Sequence, residues 1–212
     1  MNLAEIYNEL ERVYNALNEK YYDGELPLVI ITIQSKKVVS GDAYGWASKN
    51  RWIDISGKRY YELNITAEYL NLDKYDIIST LAHEMVHIYC WENDIKDTSR
   101  GNRYHNKRFK AKAEKRDLII NKVDGIGYSE TAPSDEFIEF IDTLNISDVF
   151  NINRQLSDLA ASEGEEPKKP RKPRPYYQCP TCGAVVRGKA NISVMCADCE
   201  ELFEYIIPGE TD

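Results

Sequence analysis

Long apolar runs, excess positive charge, cysteine and histidine are all scarce in this chain, and each scarcity excludes something. No apolar stretch approaches the ~18–20 residues needed to cross a bilayer, so a membrane role is not expected. The opening residues, MNLAEIYNELERVYNALNEKYY, spread acids and bases through an amphipathic pattern. They lack the basic start and uninterrupted apolar core of a secretory signal, and a cytoplasmic location is expected. Against 27 Lys and Arg stand 35 Asp and Glu, for a formal net charge of −8. That balance argues against a protein coated in nucleic acid over its whole surface. Five cysteines without an export signal are not expected to form disulfides. Histidine is scarcer still, with three in 212 residues.

What is present is ordinary globular material, 42% hydrophobic and 29% charged, enough for one packed domain and a small second unit. Charge is distributed unevenly. From Lys96 to Lys122 there are ten Lys or Arg against Asp97, Glu114 and Asp117, and a second basic run, KKPRKPR, spans 168–174. Either these are solvated surfaces or they form a local patch for an anionic partner such as DNA.

Hydrophobic spacing predicts a helix at the start, with Leu3, Ile6, Leu10, Val13, Tyr14 and Leu17 three or four apart, stopped by DGELP. LVIITIQ, AYGWAS and YYELNIT read as strands of a small, largely antiparallel sheet, the last two separated by the polar segment KNRWIDISGKR. LDKYDIISTLAHEMVHIYCWEN carries a broad apolar stripe and reads as a long buried helix. HNKRFKAKAEKRDL reads as a helix with a basic outer face, and PSDEFIEFIDTL as one capped by Ser134. The expected organisation is an α+β domain over 1–160, a basic Pro-rich linker over 161–175 with no bulky apolar residue, and a cysteine module over 176–212.

Two of the three histidines, His83 and His87, lie four apart in TLAHEMVHIY, with Glu84 directly after the first. On a helix such a pair shares one face, with Cβ atoms roughly 5–6 Å apart, so both imidazoles can address one metal ion. Glu84 is turned aside and can reach a water on that ion, which is the mechanical content of the H-E-x-x-H motif. A hydrolytic zinc site takes three protein ligands and keeps one position open. His105, just past a loop, is the natural third ligand, with Glu92 and Glu114 as possible substitutes. Cys90 lies seven residues beyond His83, about 10 Å along the helix, too far to share the ion. With catalytic zinc bound there, Glu84 is expected to act as general base in hydrolysing an amide, most simply a peptide bond. Tyr128 is a weak candidate for stabilising the oxyanion.

Cys179-Pro-Thr-Cys182 and Cys196-Ala-Asp-Cys199 are two C-x-x-C knuckles separated by thirteen residues. Two thiolates from each complete a closed tetrahedral set, so a second, structural zinc is expected to fold a zinc ribbon. The module's aromatics, Tyr176, Tyr177, Phe203 and Tyr205, suit a miniature core better than a base-stacking surface. Cys90 reads as a small buried hydrophobe.

HEMVHIYCWENDIKDTSRGNRYHNKRF resembles the core of the SprT-like zinc metalloprotease family, whose eukaryotic member acts on DNA–protein crosslinks. The likeness includes a G-x-x-x-H-x-x-x-F segment, here Gly101, His105 and Phe109, and follows the order of elements from residue 1 to about 120. It implies a zincin-like metalloprotease domain with His83, His87 and His105 as zinc ligands and Glu84 as catalytic base, working near DNA. Many bacterial-type members also end in a zinc ribbon. Residues 122–160 match nothing in the eukaryotic pattern. The leading expectation is therefore a peptidase acting on proteins bound or crosslinked to nucleic acid. The alternatives are a non-catalytic nucleic-acid adaptor and a zinc amidase for a small non-peptide substrate.

Overall fold

The structure is a computed structural model that describes residues 2–35, 43–155, 176–188 and 191–206. The basic run at 168–174 lies outside these residues. The chain divides into two compact units, Met1–Ala160 and Ala161–Asp212.

In the first unit, helix α1 (Leu3–Tyr22) begins with a reciprocal cap. The Asn2 side chain accepts the Glu5 N–H while the Glu5 carboxylate accepts the Asn2 N–H, satisfying donors that the first turn leaves open. Its buried face includes Ile6, Leu10, Val13, Tyr14 and Leu17, the stripe expected from spacing apart from Leu3, which is exposed at the first turn. Strands β1 (Val29–Gln34), β2 (Gly45–Ile53) and β3 (Arg59–Thr66) form a sheet of order β1-β3-β2. The sheet is mixed, which corrects the antiparallel expectation in one pairing. β2 and β3 make an antiparallel hairpin, and β3 takes the seat beside β1, so β1 and β3 run parallel from Val29 opposite Tyr61 to Gln34 opposite Thr66. The polar segment after AYGWAS is not a spacer either. Lys49–Ile53 continues β2 past a bulge between Ser48 and Trp52.

Helix α2 (Lys74–Glu92), capped by the Asp73 side chain on the Tyr75 N–H, is buried on almost every side. It packs against α1, β2 and β3 as well as a second sheet. That sheet contains β4 (Thr98–Ser99), β5 (Tyr104–His105), β6 (Leu118–Val123) and β7 (Gly127–Pro133) in the order β4-β5-β7-β6. The basic helix expected here is shorter, α3 (Lys107–Glu114), because Asp117 turns the chain at φ 58° into the β6–β7 hairpin. Within β6, buried Leu118 and Ile120 alternate with exposed Ile119 and Asn121, a period of two. Ser134 caps α4 (Asp135–Thr143) by accepting the Phe137 N–H.

Two glycines allow close approaches, β2 to α2 and β7 to β5. A Cβ at Gly45 would lie 2.7 Å from the Asn64 carbonyl oxygen of β3 and 2.9 Å from Thr80 Cγ2 of α2, so hydrogen there lets β2 lie against both. At Gly127 a Cβ would lie 2.2 Å from the His105 carbonyl oxygen, and its φ of +81° suits glycine as well.

The second unit is built from β8 (Tyr176–Gln178), β9 (Val185–Val186), β10 (Met195–Cys196), β11 (Glu201–Leu202) and β12 (Glu204–Ile206). β12-β8-β9 form one antiparallel sheet and β10-β11 a hairpin. Tyr177 is its buried aromatic, with the Tyr205 ring 4.9 Å away.

Candidate metal centres

The length and burial of α2 fix the first two ligands. His83 and His87 sit one turn apart on its inner face, both about 8% exposed, with ring centroids 5.1 Å apart. His105 arrives from the end of β5. Its Nε2 lies 3.3 Å from His83 Nε2 and 3.0 Å from His87 Nε2. The other nitrogen of each ring is engaged outside this triangle. His87 Nδ1 bonds buried Asp97 at 2.5 Å, His83 Nδ1 bonds the Thr131 hydroxyl at 2.7 Å, and His105 Nδ1 faces the Ile126 carbonyl at 3.4 Å.

This outer ring of partners sets the tautomers. A carboxylate and a carbonyl only accept, so the Nδ1 atoms of His87 and His105 carry hydrogen and their Nε2 atoms present lone pairs. Two lone pairs 3.0 Å apart cannot bond each other without an electrophile between them. Burial drives His83 well below its ordinary value, aided by its histidine neighbours, and pulls His105 down to about 4. A divalent metal with a taste for imidazole fits the donor set, and zinc is the natural choice. Phe109, fully buried, lies within 4.5–4.8 Å of all three rings and holds them against sideways motion.

Glu84 shares α2 with the first two ligands but turns toward β2, where its carboxylate accepts the Ala47 N–H. It is 6% exposed, and burial pushes its carboxyl up to about 7. The structure therefore brings His83, His87 and His105 together, with Glu84 next to His83 on α2 and within electrostatic reach of His87. It sends the substitutes elsewhere. Glu92 accepts from the Tyr61 hydroxyl, and Glu114 pairs with Lys110 at 3.3 Å. Cys90 is buried in the core, its thiol pushed up to about 12 by burial. Tyr128 lies under the Lys110 ammonium, 5.3 Å from it, beside a register shift in the β6–β7 pairing.

Sequence reasoning missed Asp97 and Thr131. Asp97 is visible in the sequence only as an acid in a basic run, and Thr131 only as a polar residue in an unrecognised strand. Replacing Asp97 by Ala is expected to weaken zinc binding at the histidine site about 10–100-fold, by freeing the His87 ring and its tautomer. Competition with a chromophoric chelator measures this, and an unchanged affinity would remove Asp97 from the site. Acid should act on the same groups. Unfolded histidine gains its proton near 6.5 whereas folded His105 resists until about 4, so stability of the metal-free chain is lost as pH falls across that window. Urea midpoints at successive pH values test this, with a flat profile counting against it.

In the second unit Cys179, Cys182, Cys196 and Cys199 bring their sulfurs within 4.8 Å of one another. Gly183, at φ +74°, turns the first knuckle back so that its N–H reaches the Cys179 carbonyl at 3.0 Å. The second knuckle does the same through Glu200, at φ 55°, whose N–H reaches the Cys196 carbonyl at 2.8 Å. The Cys182 N–H directed at Cys179 holds that thiol down to about 7, the thiolate character a zinc ligand needs.

The basic run of 96–122 separates into inward and outward members. Arg116 is 7% exposed, its guanidinium 4.2 Å and 4.0 Å from the Tyr22 and Tyr89 rings. Lys110 and Lys112 lie over tyrosine rings. Lys96, Lys107 and Arg108 face outward around a cavity of about 420 Å³ that Thr98, Ser99 and Asn106 also line.

Comparison with known proteins adds two matches. Residues 10–124, over half of the chain, match the model of the SprT-like family. A Salmonella typhimurium protein described as "Uncharacterized protein in mucB 3'region" is 41% identical over 49 residues, 23% of this chain and 61% of that protein. No solved structure matches. The chain thus spans somewhat under two thirds of that relative's length.

Proposed function

Because the chain belongs to the SprT-like family, we propose that its first unit is a zinc-dependent peptidase in which His83, His87 and His105 hold the ion and Glu84 moves the proton. The observation that carries this reading is the convergence of three Nε2 atoms beside a buried carboxylate. Zinc held by these residues supplies Lewis-acid activation of water and of the scissile carbonyl. The protein does the rest. Asp97 and the Ile126 carbonyl keep His87 and His105 in one tautomer, and Thr131 holds the orientation of His83. The Ala47 N–H steadies one side of the Glu84 carboxylate, which takes a proton from the attacking water and returns it to the departing amine. The cysteine cluster holds a second ion whose coordination is closed, so it folds its module and does no chemistry.

The favoured substrates are proteins bound or crosslinked to nucleic acid, with DNA meeting the basic segments 96–122 and 168–174. The outward cations Lys96, Lys107 and Arg108 support this on charge. The zinc-loaded chain should cleave an unfolded protein such as casein and stop when chelated. Its zinc content should fall from two ions to one in His105→Ala, one for each cluster. A chain that binds both ions yet cleaves neither casein nor DNA-crosslinked protein would instead be the adaptor.

A further inference from the structure

The β2–β3 hairpin carries chemistry that neither metal centre uses. Trp52, Ile53 and Ile55 are 44%, 60% and 108% exposed along it. Lys49, Arg51, Lys58 and Arg59 are exposed beside them, and none has an ion-pair partner among the described residues. The acid of the turn, Asp54, is already occupied. Its carboxylate accepts from the Ser56 N–H and hydroxyl, the Lys58 N–H and the Tyr60 hydroxyl. On a chain of net charge −8 the hairpin is a local cationic finger.

Its aromatics are fixed in place. Glu62, 5% exposed, accepts the Trp46 indole N–H at 3.3 Å with one oxygen and the Trp52 indole N–H at 2.7 Å with the other. Trp52 pairs across the strands with Tyr60. At the foot of the hairpin β1 begins only at Val29, opposite Tyr61, so Arg59 and Tyr60 have no β1 partner. A cavity of about 360 Å³ opens there, lined by Leu28, Asn50, Lys58, Arg59 and Tyr60, with Tyr61 and Glu92 joined by a hydrogen bond at its wall.

We propose that this hairpin and cavity bind single-stranded nucleic acid, with phosphates on the four cations and bases against the Trp52 and Tyr60 rings. Rings that are pinned before binding suit the sequence-tolerant stacking of unpaired bases, and cations without an ion-pair partner suit the backbone. The Lys58 ammonium is 5.0 Å from the Tyr60 ring centroid, so that one cation lies beside a stacking surface. Exposed Ile and Trp beside cations would also suit an anionic lipid surface. A nucleotide-sized recess lined by Lys58, Arg59, Asn50, Tyr60 and Leu28, with the Glu92 carboxylate at its wall held by the Tyr61 hydroxyl, fits a base and phosphate and serves no purpose at a bilayer. The inference does not depend on peptide hydrolysis, and it places a nucleic-acid contact outside both basic segments named above.

Fluorescence anisotropy of the zinc-loaded full chain with labelled oligothymidylate, across a salt series, tests it. Lys58→Glu with Arg59→Glu should weaken binding at least tenfold and flatten the log-affinity against log-salt slope by roughly 1.4, about 0.7 for each lost phosphate contact. Trp52→Ala should weaken binding and leave the slope alone. On the unmodified chain, photo-crosslinking to a 5-iodouracil oligonucleotide should label residues within 49–61, which keeps the test open if a variant misfolds. Adducts confined to 96–122 or the cysteine module, with both variants binding normally, would overturn the inference and leave the DNA-directed peptidase reading standing. No oligonucleotide binding at all would sink both nucleic-acid claims but not the peptidase. Loss of binding to phosphatidylserine vesicles in the charge variant, with oligonucleotide binding intact, would also overturn the inference.

Discussion

Glu84→Gln is expected to lower peptide hydrolysis about 10²–10⁴-fold, the range a positioned acid–base group contributes, while both zinc ions stay bound. The substitution is close to isosteric. The amide oxygen of the introduced glutamine can still accept the Ala47 N–H, so β2 has no reason to move and the imidazoles keep their outer partners. What is lost is proton traffic: an amide cannot take a proton from water and hand it to an amine. The loss should therefore fall on kcat, with KM for a peptide substrate little changed. Glu84→Asp makes a useful contrast, because shortening the side chain withdraws the carboxylate while preserving its charge. Rates for the glutamine variant at the level of the parent chain, with two ions per chain by atomic absorption, would remove Glu84 from the chemistry. A glutamine variant that loses the histidine-bound ion would instead show that Glu84 helps to build the centre.

The parts of this centre that are legible in the sequence are those set by local geometry or by scarcity. His83 and His87 follow from helical spacing alone. His105 is non-local, but a chain with three histidines leaves few choices. Asp97 and Thr131 are not legible, because what aims them at the rings is tertiary. Asp97 directly precedes β4, a strand of two residues and too short for any period, and Thr131 sits in a strand whose partner begins in a segment that reads as helix. The parallel seat of β1 beside β3 is hidden for a related reason. Alternation tells which face of a strand is buried, not which neighbour it pairs with. The basic run shows the limit of composition. Ten cations in 27 residues look alike in a sequence, yet Arg116 is held between two tyrosine rings and Lys107 stands in solvent.

Removing metal from the cysteine module is expected to unfold it outright and leave the first unit standing. Its described residues bury few side chains, with Tyr177, Cys179 and Cys196 the buried apolar ones. So few buried side chains, even with the strand hydrogen bonds of β8, β9 and β12, cannot offset the entropy of ordering the module's backbone. Structural zinc in peptides of this size contributes about 10–16 kcal/mol, the largest single stabilising contribution open to the module. The first unit stands on a different footing. Its core runs from Ile6 through Leu63, Met85 and Phe109 to Phe137, all fully or almost fully buried, and needs no ion to be continuous. In a two-dimensional amide spectrum of the full chain, Cys182→Ser should collapse the peaks of 176–206 toward random-coil shifts while those of α1, α2 and α4 hold. Dispersed peaks from the module after this substitution, or after chelation, would mean that its aromatic pair and strands suffice, and that the four thiols converge for some purpose other than folding.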